Sequence, residues 1–291
     1  MLGNYSSATE FLLVGFPVAK ELRHILFAAF LFLYSVTILG NLLIILIVCA
    51  DKHLQSPMHF FLGHLSVLEI LITSVAVPYT LQGLLLQTQI MSLSACCAQL
   101  YLYLSLGSSE LVLMGVMAVD RYVAVCNPLR YSVIVSSYTC PWMVTVSWVF
   151  GFLFQIWPVY ATFQLTFCKS NVLDHFYCDR GQLFKLSCEN TLFTEFILFL
   201  MALFIIVGSM ILTIISYTYI ISTVLKIRSA SGRRKAFSTC ASHFAYVVIG
   251  YGSCLFLYVK PKQAQAAEYN RVASLLVLVL APFLNPFIVT L

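Results

Sequence analysis

Two carboxylates and one arginine stand where such residues are scarce. Glu69 and Glu110 lie in the middle of long apolar stretches, and Asp120-Arg121-Tyr122 closes the second of these stretches. An ionised carboxylate at membrane depth costs at least about 2.5 kcal/mol on insertion scales, and no lysine or arginine lies at that depth to neutralise either acid. The chemistry open to the pair is the sharing of a proton or of a small hard cation such as sodium, with oxygen ligands that include Ser66 and Asn285. Two protonated acids hydrogen-bonded to their neighbours is the plainer arrangement. Catalysis has no comparable support. His24, His53, His59, His64, His175 and His243 show no metal-ligand spacing, and the chain has no nucleophile-base pattern and no phosphate-cradling glycine loop. An enzyme is not expected.

These groups need a helix to position them. At 3.6 residues per turn, Tyr103, Gly107, Glu110, Met114, Met117 and Arg121 fall on one inward stripe. One helix face would then join a pocket-like outer half to a charged inner end, where Arg121 alone could merely snorkel to headgroups. Composition supports a membrane setting. The 291 residues are 61% hydrophobic and 9% charged, with mean hydropathy +0.94, against about 25% charged in ordinary soluble domains. Seven apolar segments, at 25–49, 58–82, 93–125, 139–163, 192–226, 236–259 and 270–290, are each near or above the roughly 20 residues that span a bilayer. In hydrocarbon every backbone group must be satisfied within the segment, so they are read as helices. The expected fold is an all-α membrane protein, a seven-transmembrane bundle over residues 25–291 preceded by an extracellular segment 1–24. No segment repeats another, which argues against duplicated transporter halves. The net charge of +5 comes without a basic, aromatic-interleaved patch, so nucleic acid is not an expected partner.

The first residues lack a basic n-region and a long apolar core, and are not read as a cleaved signal peptide. Basic residues divide equally between the two sides, so charge alone does not orient the chain. Asn4-Tyr5-Ser6 is a glycosylation sequon, usable only on the lumenal side. The segment 162–190 carries Cys168, Cys178 and Cys188 among polar residues, and Cys96 opens the third span on the same side. Both features favour an N-terminus outside, which places the basic run 226–235 in the cytoplasm. Four cysteines allow three pairings, and a metal site of Cys168, His175 and Cys178 is the weaker alternative in an oxidising compartment. Cys49, Cys97, Cys126, Cys140, Cys240 and Cys254 are expected as free, packed thiols.

The stretch from Met117 to Tyr131, MAVDRYVAVCNPLRY, resembles the signature of vertebrate odorant receptors, within the rhodopsin-like G-protein-coupled receptors. Gly40-Asn41, PMHFFL at 57–62, Ser216-Tyr217, KAFSTCASH at 235–243 and PFLNPF at 282–287 resemble the same family in the same order. The resemblance implies bridges Cys96–Cys178 and Cys168–Cys188, a resting Asp120–Arg121 pair whose arginine is released toward a G protein, and switch positions at Tyr122, Tyr217 and His243. It further implies a stimulatory olfactory G protein, cyclic AMP and a location in the plasma membrane.

By the same resemblance the ligand pocket lies in the outer half, among the third, fifth, sixth and seventh spans. The candidates are Tyr103, Leu104, Gly107 and Ser108, then Met201 and Ile205, then Tyr251, Cys254, Leu255 and Tyr258. No acid or base stands among them. A small, weakly polar alcohol, aldehyde, ketone or ester is therefore expected rather than an amine or an acid. Two departures bear on signalling: Val289 stands where the family's last motif has tyrosine, and the sequence ends at Leu291 before an amphipathic tail. Weak coupling or a truncated, inactive copy is one alternative to a working receptor. A carrier or channel using Glu69 and Glu110 is the other.

Overall fold

The computed structural model describes residues 9–14, 20–51, 56–86, 88–258, 278–279, 282–284 and 286. Asn4, Asn285, Val289 and the side chain of Tyr258 lie outside the described residues. Six long helices are present among them: α1 (Lys20–Ala50), α2 (Pro57–Leu86), α3 (Leu93–Cys126), α5 (Thr139–Phe163), α7 (Leu192–Leu225) and α8 (Ala230–Tyr258), with short helices α4 (Tyr131–Ile134) and α6 (Arg180–Leu186) between them. The first five long helices are each long and apolar enough to cross a membrane, and α8 carries a shorter apolar stretch, Cys240–Leu255. Residues 278–279, 282–284 and 286 are helical too. Most helices run past the apolar limits read from the sequence, because a helix continues into the interface after hydrocarbon ends.

Local signals set several of the ends. Ser92 caps α3, its hydroxyl accepting from Ala95 N at 3.2 Å, and Pro128 follows the Asn127 cap at the other end. Pro57 opens α2, where a missing N–H costs nothing. Pro78 and Pro158 sit inside helices, as expected for spans supported by their neighbours.

The core is apolar, Phe61, Leu65, Leu68 and Leu113 among it, but unlike a soluble protein the chain also turns apolar side chains outward. Ile25, Phe32, Leu39 and Leu46, one residue in every seven along α1, are 63–67% exposed and form a lipid-facing stripe. Asn41, Ser105, Ser109 and Ser147 are fully buried, since small and polar side chains hold helices together where lipid gives apolar packing no advantage. Gly151 is the sharpest instance. A Cβ there would lie 2.6 Å from Ser109 N and 2.7 Å from Ser105 O, so the close approach of α5 to α3 requires glycine.

On the outer side the N-terminal segment does more than the sequence suggested. β1 (Glu10–Val14) is the central strand of a three-stranded sheet. It pairs antiparallel with β2 (Thr88–Ser92), Leu12 opposite Ile90, and parallel with β3 (Val172–Leu173). Phe11 is fully buried against Phe167, ring centroids 5.5 Å apart. The sheet ties residues 10–14 to the segment between α2 and α3 and to the segment after α5.

Candidate functional site

The inward stripe of α3 exists, and it connects two cavities. Tyr103, Gly107, Glu110 and Met114 line an outward cavity of about 200 Å³. Met117 and Arg121 line an inner one of about 380 Å³. Tyr246 of α8 stands between them: it lines the inner cavity and its hydroxyl donates to Glu110 Oε1, while Glu69 Oε1 lies 3.3 Å from the same oxygen. A phenol has one proton, so both contacts are hydrogen bonds at once only when one carboxyl also carries a proton. The two acids thus converge as their isolation in the sequence suggested. Their common partner was not legible, being far away in the chain. Ser66 is buried one turn before Glu69. Among the described residues no group of three or more His, Cys, Asp or Glu is arranged to hold a metal.

Seven of the ten pocket candidates line the outward cavity: Tyr103, Leu104, Gly107 and Ser108 from α3, Met201 and Ile205 from α7, and Cys254 from α8. Tyr251 is buried beside it with its hydroxyl engaged elsewhere, bonded to Ser209 and 3.2 Å from Thr213. It fastens α8 to α7. Leu255 is 49% exposed and does not line the cavity. The sequence reading missed the fourth span. Phe154, Gln155 and Pro158 of α5 form one wall, and a polar amide within an apolar span was the available signal. It also missed charge: Glu69, Glu110 and Arg180 border the cavity, so the expectation of walls without acid or base is corrected.

Over the cavity lies the disulfide-tied lid. Cys96 and Cys178 are bridged with Cα atoms 5.3 Å apart, and Cys168 and Cys188 with Cα atoms 5.8 Å apart, the pairing the resemblance implied. Gln99 adds a polar clamp, its Oε1 accepting from Cys178 N at 2.8 Å and its Nε2 donating to Val75 O at 3.0 Å. With all four cysteines so paired, the alternative metal site loses its ligands.

At the inner end Asp120 and Arg121 are 2% and 7% exposed and form an ion pair, Arg121 Nε donating to Asp120 Oδ2 at 3.0 Å. The other carboxylate oxygen accepts from Tyr131 Oη at 2.8 Å. Burial and the Asp120 carboxylate push the Tyr131 phenol above its ordinary value, which keeps it a donor. Tyr217 Oη and His243 Nδ1 are 2.7 Å apart, with the rings stacked, and join α7 to α8. Tyr122 packs on Tyr219. Asp120, Tyr122, Tyr217 and His243 thus each meet a residue of another element, whereas Arg121 is held by its own neighbour Asp120 on α3.

A helical bundle with a lidded outward cavity, a buried Asp120–Arg121 pair at its inner end and one helix running past both fits a receptor of the G-protein-coupled class, and the family match shows that class and its seven-helix bundle. The olfactory receptor family profile matches residues 30–291. The chain is 77% identical to olfactory receptor 9A1 of Homo sapiens, and 70% and 68% identical to olfactory receptors 9A4 and 9A2 of the same species. Each alignment covers 100% of this chain and 93% of the relative. The chain belongs to the olfactory receptor family: multi-pass plasma-membrane receptors for odorants that act through G proteins and are not enzymes.

Proposed function

We propose that a small odorant occupies the outward cavity and that its binding releases Arg121 at the inner end, activating a stimulatory olfactory G protein and raising cyclic AMP. One observation carries this reading: a single stripe of α3 lines the outward cavity through Tyr103 and Glu110 and the inner one through Arg121. At about 200 Å³ the outward cavity is below the roughly 300–1,000 Å³ of drug-sized sites, which suits a small ligand. Ligand shifts the equilibrium only through differential affinity for the released state. Leu129, 96% exposed, and Val133, 76% exposed, stand beside the lock and supply an apolar surface for the G protein.

The test is a panel of volatile alcohols, aldehydes, ketones, esters, amines and acids read by cyclic AMP in cells bearing the full chain. Gly107→Leu is the blocking variant, since Gly107 lines the cavity and a Cβ there meets nothing within 4 Å. It should silence every agonist at unchanged surface level, and Arg121→Ala should silence signalling downstream of binding. Agonists that survive Gly107→Leu place the odorant elsewhere, and a current in membranes lacking G protein supports a channel instead.

We also propose that the converging Glu69 and Glu110 oxygens, with Ser66, hold a sodium ion. Basal signalling that keeps its sodium dependence in the Glu69→Gln, Glu110→Gln double variant rules this out.

A further inference from the structure

Gln155 is a buried amide in an apolar span, and only one end of it is satisfied. Its Nε2 donates to Ser108 Oγ at 2.7 Å. Its Oε1 has no hydrogen-bond partner among the described residues. Gln155 is 8% exposed and Ser108 6% exposed, and both line the outward cavity. A buried acceptor left alone is rare and costly. Ser108 has the complementary need. Its oxygen accepts from Gln155, so its own proton remains to be given, whereas Ser109 next to it already donates to Ser105 O at 2.9 Å.

We infer that Gln155 and Ser108 together read a hydroxyl group on the odorant, whose O–H donates to Gln155 Oε1 while its oxygen accepts from Ser108. Gln155 lines the cavity and the terminal torsion of glutamine is soft, so the proposed contact asks Oε1 to turn toward the cavity with Nε2 still in reach of Ser108. An aldehyde, ketone, ester or ether only accepts and leaves Oε1 alone. An ammonium only donates and leaves the Ser108 proton unused. A hydroxyl does both, and the apolar Leu104, Met201 and Ile205 receive the rest of the molecule. This rests on the outward cavity being the odorant site and narrows the ligand class to alcohols.

The test uses matched sets from hexanol to decanol, each with its aldehyde and its methyl ether, read by cyclic AMP alongside surface staining. The alcohol should act at concentrations at least about ten-fold below its aldehyde and ether, because a site built to pair a hydroxyl rejects analogues lacking it. Gln155→Leu and Ser108→Ala should each reduce that preference toward one, mainly by weakening the alcohol. Two variants on different helices guard against misfolding of either. Equal potency of alcohol and ether, a preference for the aldehyde, silence toward every alcohol, or a preference untouched by both variants at normal surface level overturns the inference. Responses that survive Gly107→Leu instead overturn the cavity assignment beneath it, so the two failures are distinguishable.

Discussion

Asp120 has two carboxylate oxygens and both are occupied, one by Arg121 and one by Tyr131. The buried pair is thus part of a cluster of three residues, and its third member comes from the short helix after the span; under the proposed function it is a three-residue resting lock. Tyr131→Phe removes a hydrogen bond to a charged acceptor. Allowing about 1 kcal/mol for the resting state, the released population should rise about five-fold, seen as higher basal cyclic AMP at equal surface level. The pH sense follows from the raised phenol: its stabilising contribution is complete below the ordinary tyrosine value of about 10 and is lost as pH rises from there through the raised value. Basal activity of the wild type should therefore not rise through this group between pH 6 and 9. Tyr246→Phe is a harsher change. It withdraws the phenol that engages both Glu69 and Glu110 and exposes buried acids to a cost of about 1–3 kcal/mol, so retention inside the cell, read by surface staining, is expected.

Elements were the most legible part of the sequence. Long apolar runs leave lipid-embedded backbone no choice but helix, and α5 begins and ends where its run does. The six-residue stripe on α3 was readable because helical spacing fixes it. What stayed hidden depended on partners from distant parts of the chain. EFLLV at 10–14 has no alternation that marks it as a central strand, and only β2 and β3 make it one. Gln155 could be noticed as an amide in an apolar run, but its place on the cavity wall follows from how closely α5 meets α3. That approach has its own test. Gly151→Val forces a side chain into Ser105 and Ser109, overpacking of about 1–3 kcal/mol, and should lower surface expression sharply. Gly208→Ala, where a Cβ meets nothing within 4 Å, should leave it unchanged.

At the scale of the whole molecule, the outer side is braced covalently and the inner side by reversible polar contacts. The bridge from Cys96 to Cys178 closes a loop 82 residues long, and that from Cys168 to Cys188 one of 20. Cys178→Ser should cost about 2–4 kcal/mol, measured as earlier thermal loss of odorant response in isolated membranes. The inner contacts, Asp120 with Arg121 and Tyr217 with His243, are noncovalent, so the release proposed above breaks no covalent bond. The braced side also has an order of assembly. β1 precedes the described spans in the chain, yet one of its two neighbours, β3, is made only after α5 is complete. The mouth therefore stays unzipped until the second outer loop is made, and β3 rather than β1 sets when the roof is finished.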